Sequence, residues 1–371
     1  MKITKSNLSK LETEYKGYLE GETLLKFMEE FDIKFAAGHW CAGDFMDRFA
    51  TNGYFPNIAS DVHSQLERIH RAKIKGVELQ DFLFLDERQE ISEDKINDVK
   101  ATLEKLNLRV SCMSTNLFTD PTWQLGSITH PDSKIRERAV GRLLQAAEIA
   151  KELECPTLNF WPGQDGWDYN FESDYGKKYE WFVENCAEVA KKCDKLGLKF
   201  SIESKPKEPK EGNMIVPTTH LSGWIAHDIN NRLGKKIMGV TIDYGHEMMY
   251  GVEPAFTVYV LHRMGVPING FHINAAKYRS NDEDRLFGTG DVWGFVDYLY
   301  SAVDTGYDGW FTEDQFTYRM DPVSAMHLSM EIFANLMKKA LLLYAKRDEL
   351  EETRSTGDQV KIINLVKKII F

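Results

Sequence analysis

Eight short runs of apolar and β-branched residues recur along the chain, with longer segments of helical periodicity between them. The runs are residues 33–37, 76–79, 109–113, 157–160, 199–202, 239–242, 270–273 and 309–312. Alternation of strands and helices is typical of parallel α/β folds, and a count of eight predicts a closed (β/α)8 TIM barrel. An open doubly wound sheet is the alternative, but no GxGxxG motif follows the first run, which removes its commonest form.

Two segments carry clear helix-start signals. Residues 132–153 place apolar side chains at steps of three and four, behind Asp132 or Ser133 as the capping residue. Near the end of the barrel region, Asp321 is the expected cap, and Pro322 occupies the first helical position, where its missing N–H has no intrahelical role. Residues 1–345 are therefore predicted to form the barrel. Residues 346–371, highly charged and then amphipathic, are predicted to form a helical tail.

The composition narrows the class of protein. The chain of 371 residues has a formal net charge of −11, which disfavours nucleic acid as a partner because such proteins normally present a basic surface. No stretch approaches the roughly 20 apolar residues needed to span a bilayer, and the first residues lack the pattern of a secretory leader. We therefore expect a cytoplasmic protein without a membrane partner. The five scattered cysteines predict reduced thiols.

Candidate functional residues follow the later strands, and the carboxyl ends of barrel strands are where active sites form. Glu203 ends the fifth run with Lys205 two positions on, and Asp243 and His246 follow the sixth. Asn274 follows the seventh, and Glu313 or Asp314 the eighth. Carboxylates at this density repel one another unless a cation compensates them. Oxygen ligands with one imidazole suit Mg²⁺, Mn²⁺ or Co²⁺.

The loop "RSNDEDRLFGTGD", residues 279–291, adds four carboxylates directly after the seventh strand. A solvated acidic loop is the usual meaning of such a run. However, residues two apart in an extended segment point the same way, so Asp282 and Asp284 could face one ion. We predict that the loop is a ligand arm that reaches back over the barrel mouth.

Several stretches together resemble the xylose isomerase family, from about residue 35 to residue 339, and the chain is similar to a divergent member. The matching strings are "STNLFTDP", "FWPGQDG", "IESKPKEP", "DYGHEMM", "FHINAAKYRSNDEDRLFGTGD" and "GYDGWFTEDQF". The resemblance implies a sugar site with two divalent cations. It implies a first ion held by Glu203, Asp243, Asn274 and Asp314, and a second held by Asp243, His246, Asp282 and Asp284.

The same resemblance assigns the remaining site residues. It implies that Lys205 contacts the sugar carbonyl oxygen and acts with Glu203 and Asp314 as the catalytic set. Trp40, Phe118 and Trp161 match aromatic walls of the sugar pocket; plain core packing is the alternative explanation for these rings. The ungapped match of "GYDGWFTED" favours Asp314 over Glu313 as the ligand.

Three departures from the family separate this chain from its typical members. Gln80 stands at the substrate-binding position where the family has a ring-opening histidine, and Leu83 stands where an aspartate orients that histidine. Glutamine neither takes nor gives a proton near neutral pH. Asn274 replaces a carboxylate, and Asp243 is shorter than the usual glutamate. Xylose itself is therefore not the expected substrate.

We expect a metal-dependent sugar isomerase that interconverts an aldose and a ketose. The alternative is a sugar epimerase that uses Glu203 and Asp314 as bases around a single ion. A zinc-dependent DNA-repair endonuclease would need several histidines and a basic groove, and a silent sugar-binding protein would not need its ligand positions. The resemblance and the apolar residues of the tail, from Val360 to Ile370, predict a homodimer or homotetramer.

Overall fold

Eight parallel strands close into a barrel, as the sequence predicts. The computed structural model describes residues 1–46, 49–55, 57–207 and 212–371. The barrel strands are β1 (Lys34–Gly38), β2 (Gly76–Gln80), β3 (Arg109–Ser114), β4 (Thr157–Phe160), β6 (Lys199–Glu203), β8 (Met238–Asp243), β9 (Ile268–Ile273) and β10 (Trp310–Glu313), and β10 pairs with β1. A small antiparallel pair, β5 (Gly166–Trp167) and β7 (Asn213–Met214), lies outside the barrel. The (β/α)8 fold is confirmed, and the predicted strand limits lie within about two residues of the observed ones.

Helices surround the barrel and follow most of its strands. They are α1 (Lys5–Lys10), α2 (Gly21–Glu30), α3 (Val62–Arg71), α4 (Glu93–Leu106), α5 (Ser133–Glu152), α6 (Tyr175–Leu196), α7 (Thr219–Leu233), α8 (Tyr244–Tyr250), α9 (Pro254–Met264), α10 (Val292–Asp304), α11 (Pro322–Ala345), α12 (Arg347–Ser355) and α13 (Gln359–Ile370). Asp132 and Asp321 both cap their helices, through backbone N–H groups 2.9 Å from the Asp oxygens. None of the helices in the described residues is long and apolar enough to cross a bilayer.

The alternation of side chains along β9 shows how the barrel separates its core from its site. Phe271 faces outward and packs against Tyr298 of α10 and Phe311 of β10, with ring centroids 5.2 and 5.3 Å apart. Burial of each such side chain contributes about 1.5–3 kcal/mol. His272, the next residue, faces the barrel interior and contacts carboxylates there. Apolar packing on the outer face thus holds polar groups in place on the inner face.

The tail packs against its own barrel. The ammonium of Lys339, on α11, donates to the carbonyl oxygen of Ile370 at 2.7 Å, and the rings of Trp293 and Phe371 lie 6.2 Å apart. Apolar residues along α13 also pack against the core, whereas Val360 and Ile363 stay exposed. Much of the apolar face of the tail is therefore partly buried against its own chain, which accounts for part of the apolar surface from which a neighbouring subunit was predicted. The dimer or tetramer stays a prediction.

Candidate metal centre

A cavity of about 680 Å³ opens at the carboxyl ends of the strands. Trp40, Phe118 and Trp161 form apolar walls, and the rings of Phe118 and Trp161 meet edge to face at 4.7 Å. Gln80 also lines the cavity. The cavity therefore brings together the predicted substrate-binding residues. Its polar side includes the predicted residues Glu203, Lys205, His246, Asp282, Asp284 and Asp314.

A first group of potential metal ligands lies at the centre of the barrel mouth. Glu203, Asp243, His272 and Asp314 each offer one ligand atom, and these atoms lie within 4.8 Å of one another. The Nδ1 atom of His272 is 3.2 Å from Glu203 Oε1 and 3.4 Å from Asp314 Oδ2. His272 is not among the residues predicted from the sequence, yet its imidazole faces the predicted carboxylates directly.

A second group lies beside the first and shares one of its members. It consists of Asp243, His246 and Asp282, again with ligand atoms within 4.8 Å of one another. The Nε2 atom of His246 is 3.1 Å from Asp282 Oδ2, and its Nδ1 atom is 3.8 Å from Asp243 Oδ1. The carboxylate of Asp243 therefore lies between two potential cation sites.

Asn274 lies between two of the predicted carboxylates. Its side-chain oxygen accepts a hydrogen bond from the backbone N–H of Gly245 at 2.8 Å. Its nitrogen donates to Asp243 Oδ2 and to Asp284 Oδ1, both at 3.0 Å. Asn274 therefore bridges two carboxylates, and His272 offers a further potential ligand atom in the first group; Asn274 as a cation ligand stays a prediction.

The acidic loop divides its carboxylates between two directions. Asp282 and Asp284 line the cavity, as predicted, whereas Glu283 turns away and pairs with Arg285 at 2.7 Å. Asp291 caps α10 through the N–H of Trp293. Asp284 has a φ of 41°, a left-handed conformation that aspartate tolerates better than most residues. Glu283 and Asp291 thus have structural partners outside the cavity, whereas Asp282 and Asp284 face it.

The hydrogen bonds of the buried carboxylates do not fully offset the cost of burying their negative charges. Burial raises the pKa of Asp243 to about 7 and holds the pKa of Asp284 well above its usual range. Burial lowers the pKa of His246, but the nearby Asp243 and Asp282 outweigh it and raise that pKa to about 9. Without a compensating cation, Asp243 and Asp284 therefore favour their protonated, uncharged forms, and His246 favours its charged form beside the neighbouring carboxylates.

Two buried atoms lack a partner at the position where a cation would lie. His246 Nδ1 and Asp282 Oδ1 have no hydrogen bond among the described residues. Buried polar atoms are almost always paired, so an unpaired nitrogen and an unpaired carboxylate oxygen in one cluster point to a missing positive charge. Carboxylates and imidazoles are ligands that Mg²⁺, Mn²⁺ and Co²⁺ accept. The residues present thus fit divalent cations.

Glu78 holds His272 from the side away from the cluster. Its Oε2 atom is 2.9 Å from His272 Nε2, and it also accepts a hydrogen bond from the hydroxyl of Ser114. A carboxylate bound to the outer nitrogen of an imidazole fixes the orientation of a metal-binding histidine. The sequence signal for this pair is weak, because both residues lie within strands rather than after them.

Lys205 and Asp314 border the space between the ligands and the aromatic walls. The ammonium of Lys205 lies 2.8 Å from Asp282 Oδ2 and 5.1 Å from the centre of the Trp161 ring. Asp314 accepts a hydrogen bond from the indole N–H of Trp40 at 2.8 Å. Glu313 lies fully buried beside Ser329, and burial raises its pKa well above the usual range. Residues 208 and 209, which end the "IESKPKEP" match, lie outside the described residues.

Replacement of Gly245 by alanine is expected to weaken cation binding. A Cβ at this position would lie 2.9 Å from Asn274 Oδ1 and 3.1 Å from Asp282 Oδ1, so both side chains would have to move. Displacement of groups that orient metal ligands costs on the order of 10- to 100-fold in affinity. Calorimetric titration with Mn²⁺ measures the effect. Gly141→Ala is the control, because a Cβ there meets open space; equal Mn²⁺ affinity in both variants would contradict the expectation.

Comparisons with known proteins agree with this fold. The sequence model of a family described as xylose isomerase-like TIM barrel matches residues 66–336. The chain is 26% identical over 220 residues to the xylose isomerase of Thermus thermophilus, and the match covers 57% of this chain and 54% of that enzyme. The chain thus spans about half the length of that curated relative.

Solved structures with a similar fold are more distant in sequence. A D-tagatose 3-epimerase-like protein is 19% identical with a TM-score of 0.59, over 81% of this chain and 98% of that one. An L-ribulose 3-epimerase is 14% identical with a TM-score of 0.60, over 85% and 97%. A xylose isomerase domain protein from Planctomyces limnophilus is 15% identical with a TM-score of 0.54, over 83% and 97%. These likenesses show a common fold.

Proposed function

Because the chain belongs to the xylose isomerase-like TIM barrel family, we propose that it is a divalent-metal-dependent sugar isomerase, which interconverts an aldose and a ketose. One observation carries the proposal: Asp243 is shared by two groups of cation ligands. A shared carboxylate is what a site for two neighbouring ions requires, because it compensates both charges at once. We propose Mg²⁺, Mn²⁺ or Co²⁺ as the ions.

The first ion would be held by the group around His272, and the second by the group around His246 together with Asp284. When bound, such ions supply Lewis acidity and fix the hydroxyl and carbonyl oxygens of an open-chain sugar. Glu78 keeps the imidazole of His272 turned toward the carboxylates through the 2.9 Å contact. Asn274 keeps Asp243 and Asp284 in place. These contacts of Glu78 and Asn274 hold the potential ligands in position for ion binding.

Lys205 and the aromatic walls would act on the sugar itself. The ammonium of Lys205 is buried at the cavity edge, where a cation can stabilise the negative charge that develops on the carbonyl oxygen. Trp40, Phe118 and Trp161 would pack against the C–H faces of the sugar and exclude water. Gln80 can bind a hydroxyl but cannot transfer a proton. We therefore propose a substrate other than xylose, or one that reaches the site in open-chain form.

A sugar epimerase is the second candidate, and the composition of the first group favours it. Glu203, Asp243, His272 and Asp314 could hold one ion without any residue of the acidic loop. Glu203 and Asp314 lie 3.2 and 3.4 Å from His272 Nδ1, so two carboxylates of the same group could exchange protons with a sugar held at a single ion. Two of the similar structures carry the name of 3-epimerases.

Product analysis of Asp282→Asn is expected to separate the two candidates. The protein is incubated with Mn²⁺ and a panel of aldoses and ketoses, and the products are identified by chromatography. For a two-ion isomerase, an aldose yields a ketose, and the variant loses activity because Asp282 belongs to the second group. For a one-ion epimerase, a ketose yields another ketose, and the variant keeps much of its activity.

Glu283→Gln is the matched control for this experiment, because Glu283 lies in the same loop but pairs with Arg285 outside the cavity. It should leave either activity close to that of the wild type. Turnover of no sugar by metal-loaded wild-type protein would reject both candidates.

A further inference from the structure

His39, at the carboxyl end of β1, has no part in the metal groups yet faces the same cavity. It begins a short 3₁₀ turn, His39–Ala42, and its side chain is 5% exposed. The imidazole lines the cavity and meets the rings of Trp40 and Phe82 edge to face, at 5.3 and 6.0 Å. A polar ring is thus held between two aromatic residues at the wall of the pocket.

A chain of hydrogen bonds fixes which nitrogen of His39 carries the proton. The carbonyl oxygen of Ser60 can only accept, and it lies 3.0 Å from the side-chain nitrogen of Gln65. The side-chain oxygen of Gln65 therefore faces His39 Nδ1, at 2.8 Å, and accepts from it. Since Nδ1 is the donor, Nε2 of the neutral ring carries a lone pair. Burial lowers the pKa of His39 to about 4, which agrees with a neutral ring.

The Nε2 atom of His39 is buried and has no hydrogen-bond partner among the described residues. Gln80, on the neighbouring strand, is close enough to affect the ring but makes no hydrogen bond of good geometry with this nitrogen. A buried acceptor without a partner is rare in folded proteins and needs an explanation, which a ligand in the adjoining cavity would supply. His39 Nε2 can therefore accept a hydrogen bond from a donor group of a ligand.

We propose that His39 Nε2 accepts a hydrogen bond from a hydroxyl group of the substrate and so determines which sugars bind. The inference rests on the proposed function for the class of ligand, a polyhydroxylated carbon chain. A neutral acceptor selects a hydroxyl and disfavours a carboxylate, because two acceptors that face each other lack a shared proton. Gln65 is a positioning residue, because its hydrogen bond with Nδ1 keeps the lone pair of His39 on Nε2. The preferred ligand is therefore a neutral sugar rather than a sugar acid.

Binding of xylitol, an alditol that the enzyme cannot isomerise, tests the proposal independently of turnover. Calorimetry in the presence of Mn²⁺ compares the wild type with His39→Phe, which keeps a ring of similar shape but removes the acceptor. Loss of one hydrogen bond to a buried donor is expected to weaken xylitol binding by roughly tenfold. His39→Gln, which can place an amide oxygen near the position of Nε2, should restore most of the affinity. Melting temperatures of the variants check the fold.

Nitrogen NMR of labelled histidine gives a signal that a merely structural role would not move. In the wild type, Nε2 of His39 should resonate as an unprotonated ring nitrogen and shift when xylitol saturates the site. Equal xylitol affinity in the wild type and the phenylalanine variant, or an unmoved resonance, overturns the inference, as does a wild type that binds xylonate more tightly than xylitol. If xylitol binding depends on His39 but no sugar is turned over, the inference stands and the proposed isomerase activity fails.

Discussion

Addition of Mn²⁺ to metal-stripped protein is expected to raise its melting temperature by roughly 3–5 °C once the metal exceeds its dissociation constant about 100-fold. The physical reason is that His246 Nδ1 and Asp282 Oδ1 are buried without hydrogen-bond partners among the described residues, and that burial makes ionisation of Asp243 and Asp284 costly. A cation relieves both deficits in the folded state and in no comparable way in the unfolded chain. Thermal melts after EDTA treatment, with increasing Mn²⁺, measure the shift.

The variant Asp243→Asn should abolish this shift, because both groups of ligands share that carboxylate. Without metal, the same substitution is not expected to lower the melting temperature. The pKa of Asp243 is raised by burial to about 7 in the folded state, above its unfolded value of about 3.9. The contribution of Asp243 to the free energy of unfolding is therefore fully present below the unfolded pKa, and it is lost as the pH rises through 7. At mildly alkaline pH, the metal-free asparagine variant should melt no lower than the metal-free wild type.

Glu283→Gln serves as the control, since its carboxylate lies in the acidic loop but outside the cavity, beside Arg285. It should keep the full response to Mn²⁺. A melting temperature that Mn²⁺ leaves unchanged in the wild type would falsify the assignment of a metal centre.

Replacement of Lys205 by methionine should lower kcat by roughly 100- to 1,000-fold, the usual cost of removing a charge-stabilising donor from an active site. Methionine keeps much of the length of the side chain against Trp161 but removes the ammonium. KM should change less than kcat, because the interaction is strongest when charge develops on the sugar oxygen. Steady-state kinetics on the sugar identified by the product screen measure both constants.

Two checks accompany the Lys205 variant, because its ammonium also lies 2.8 Å from Asp282. The Mn²⁺-induced rise in melting temperature should be retained. This result would show that the variant loses activity although its metal site is intact. Lys207→Met, two residues along and outside the cavity lining, should turn over the sugar at nearly the wild-type rate. An equal loss of activity in both lysine variants would argue against a role for Lys205 at the carbonyl oxygen.

The barrel could be predicted from the sequence because each strand is buried on both faces and so reads as a short apolar run. The helix starts at Asp321 and Pro322 could be predicted for a local reason, since capping depends on a few neighbouring residues. The packing of α13 could not be predicted in this way. Its apolar face is visible in the sequence, but whether that face meets its own barrel or a second chain depends on distant residues.

The site could be predicted where its residues follow a strand and was missed where they lie within one. Glu203 and Asp243 end their strands and Asp314 directly follows β10; Glu203 and Asp314 line the cavity, and Asp243 lies beside them. His272 lies inside β9, two positions before Asn274, so strand alternation places both on the inner face. That periodicity was the signal available for His272. Nothing local distinguishes Asn274 as a bridge from Asn274 as a ligand, because the difference depends on Gly245 and Asp284.

The arm formed by the acidic loop, residues 279–291, has a consequence for how proteins of this family diverge. The arm joins the barrel through the paired residues Ala275 and Arg285 and through the carbonyl oxygen of Asp284, which accepts from the N–H of Phe316. The second group of ligands needs the arm through Asp282, whereas the first group uses only residues on or directly after the barrel strands. If both groups are cation sites, as proposed, loss or replacement of this one loop would remove a ligand of the second site while the fold and the first group stay intact. A change in a single connection, rather than a new scaffold, would then be enough to turn a two-ion site into a one-ion site.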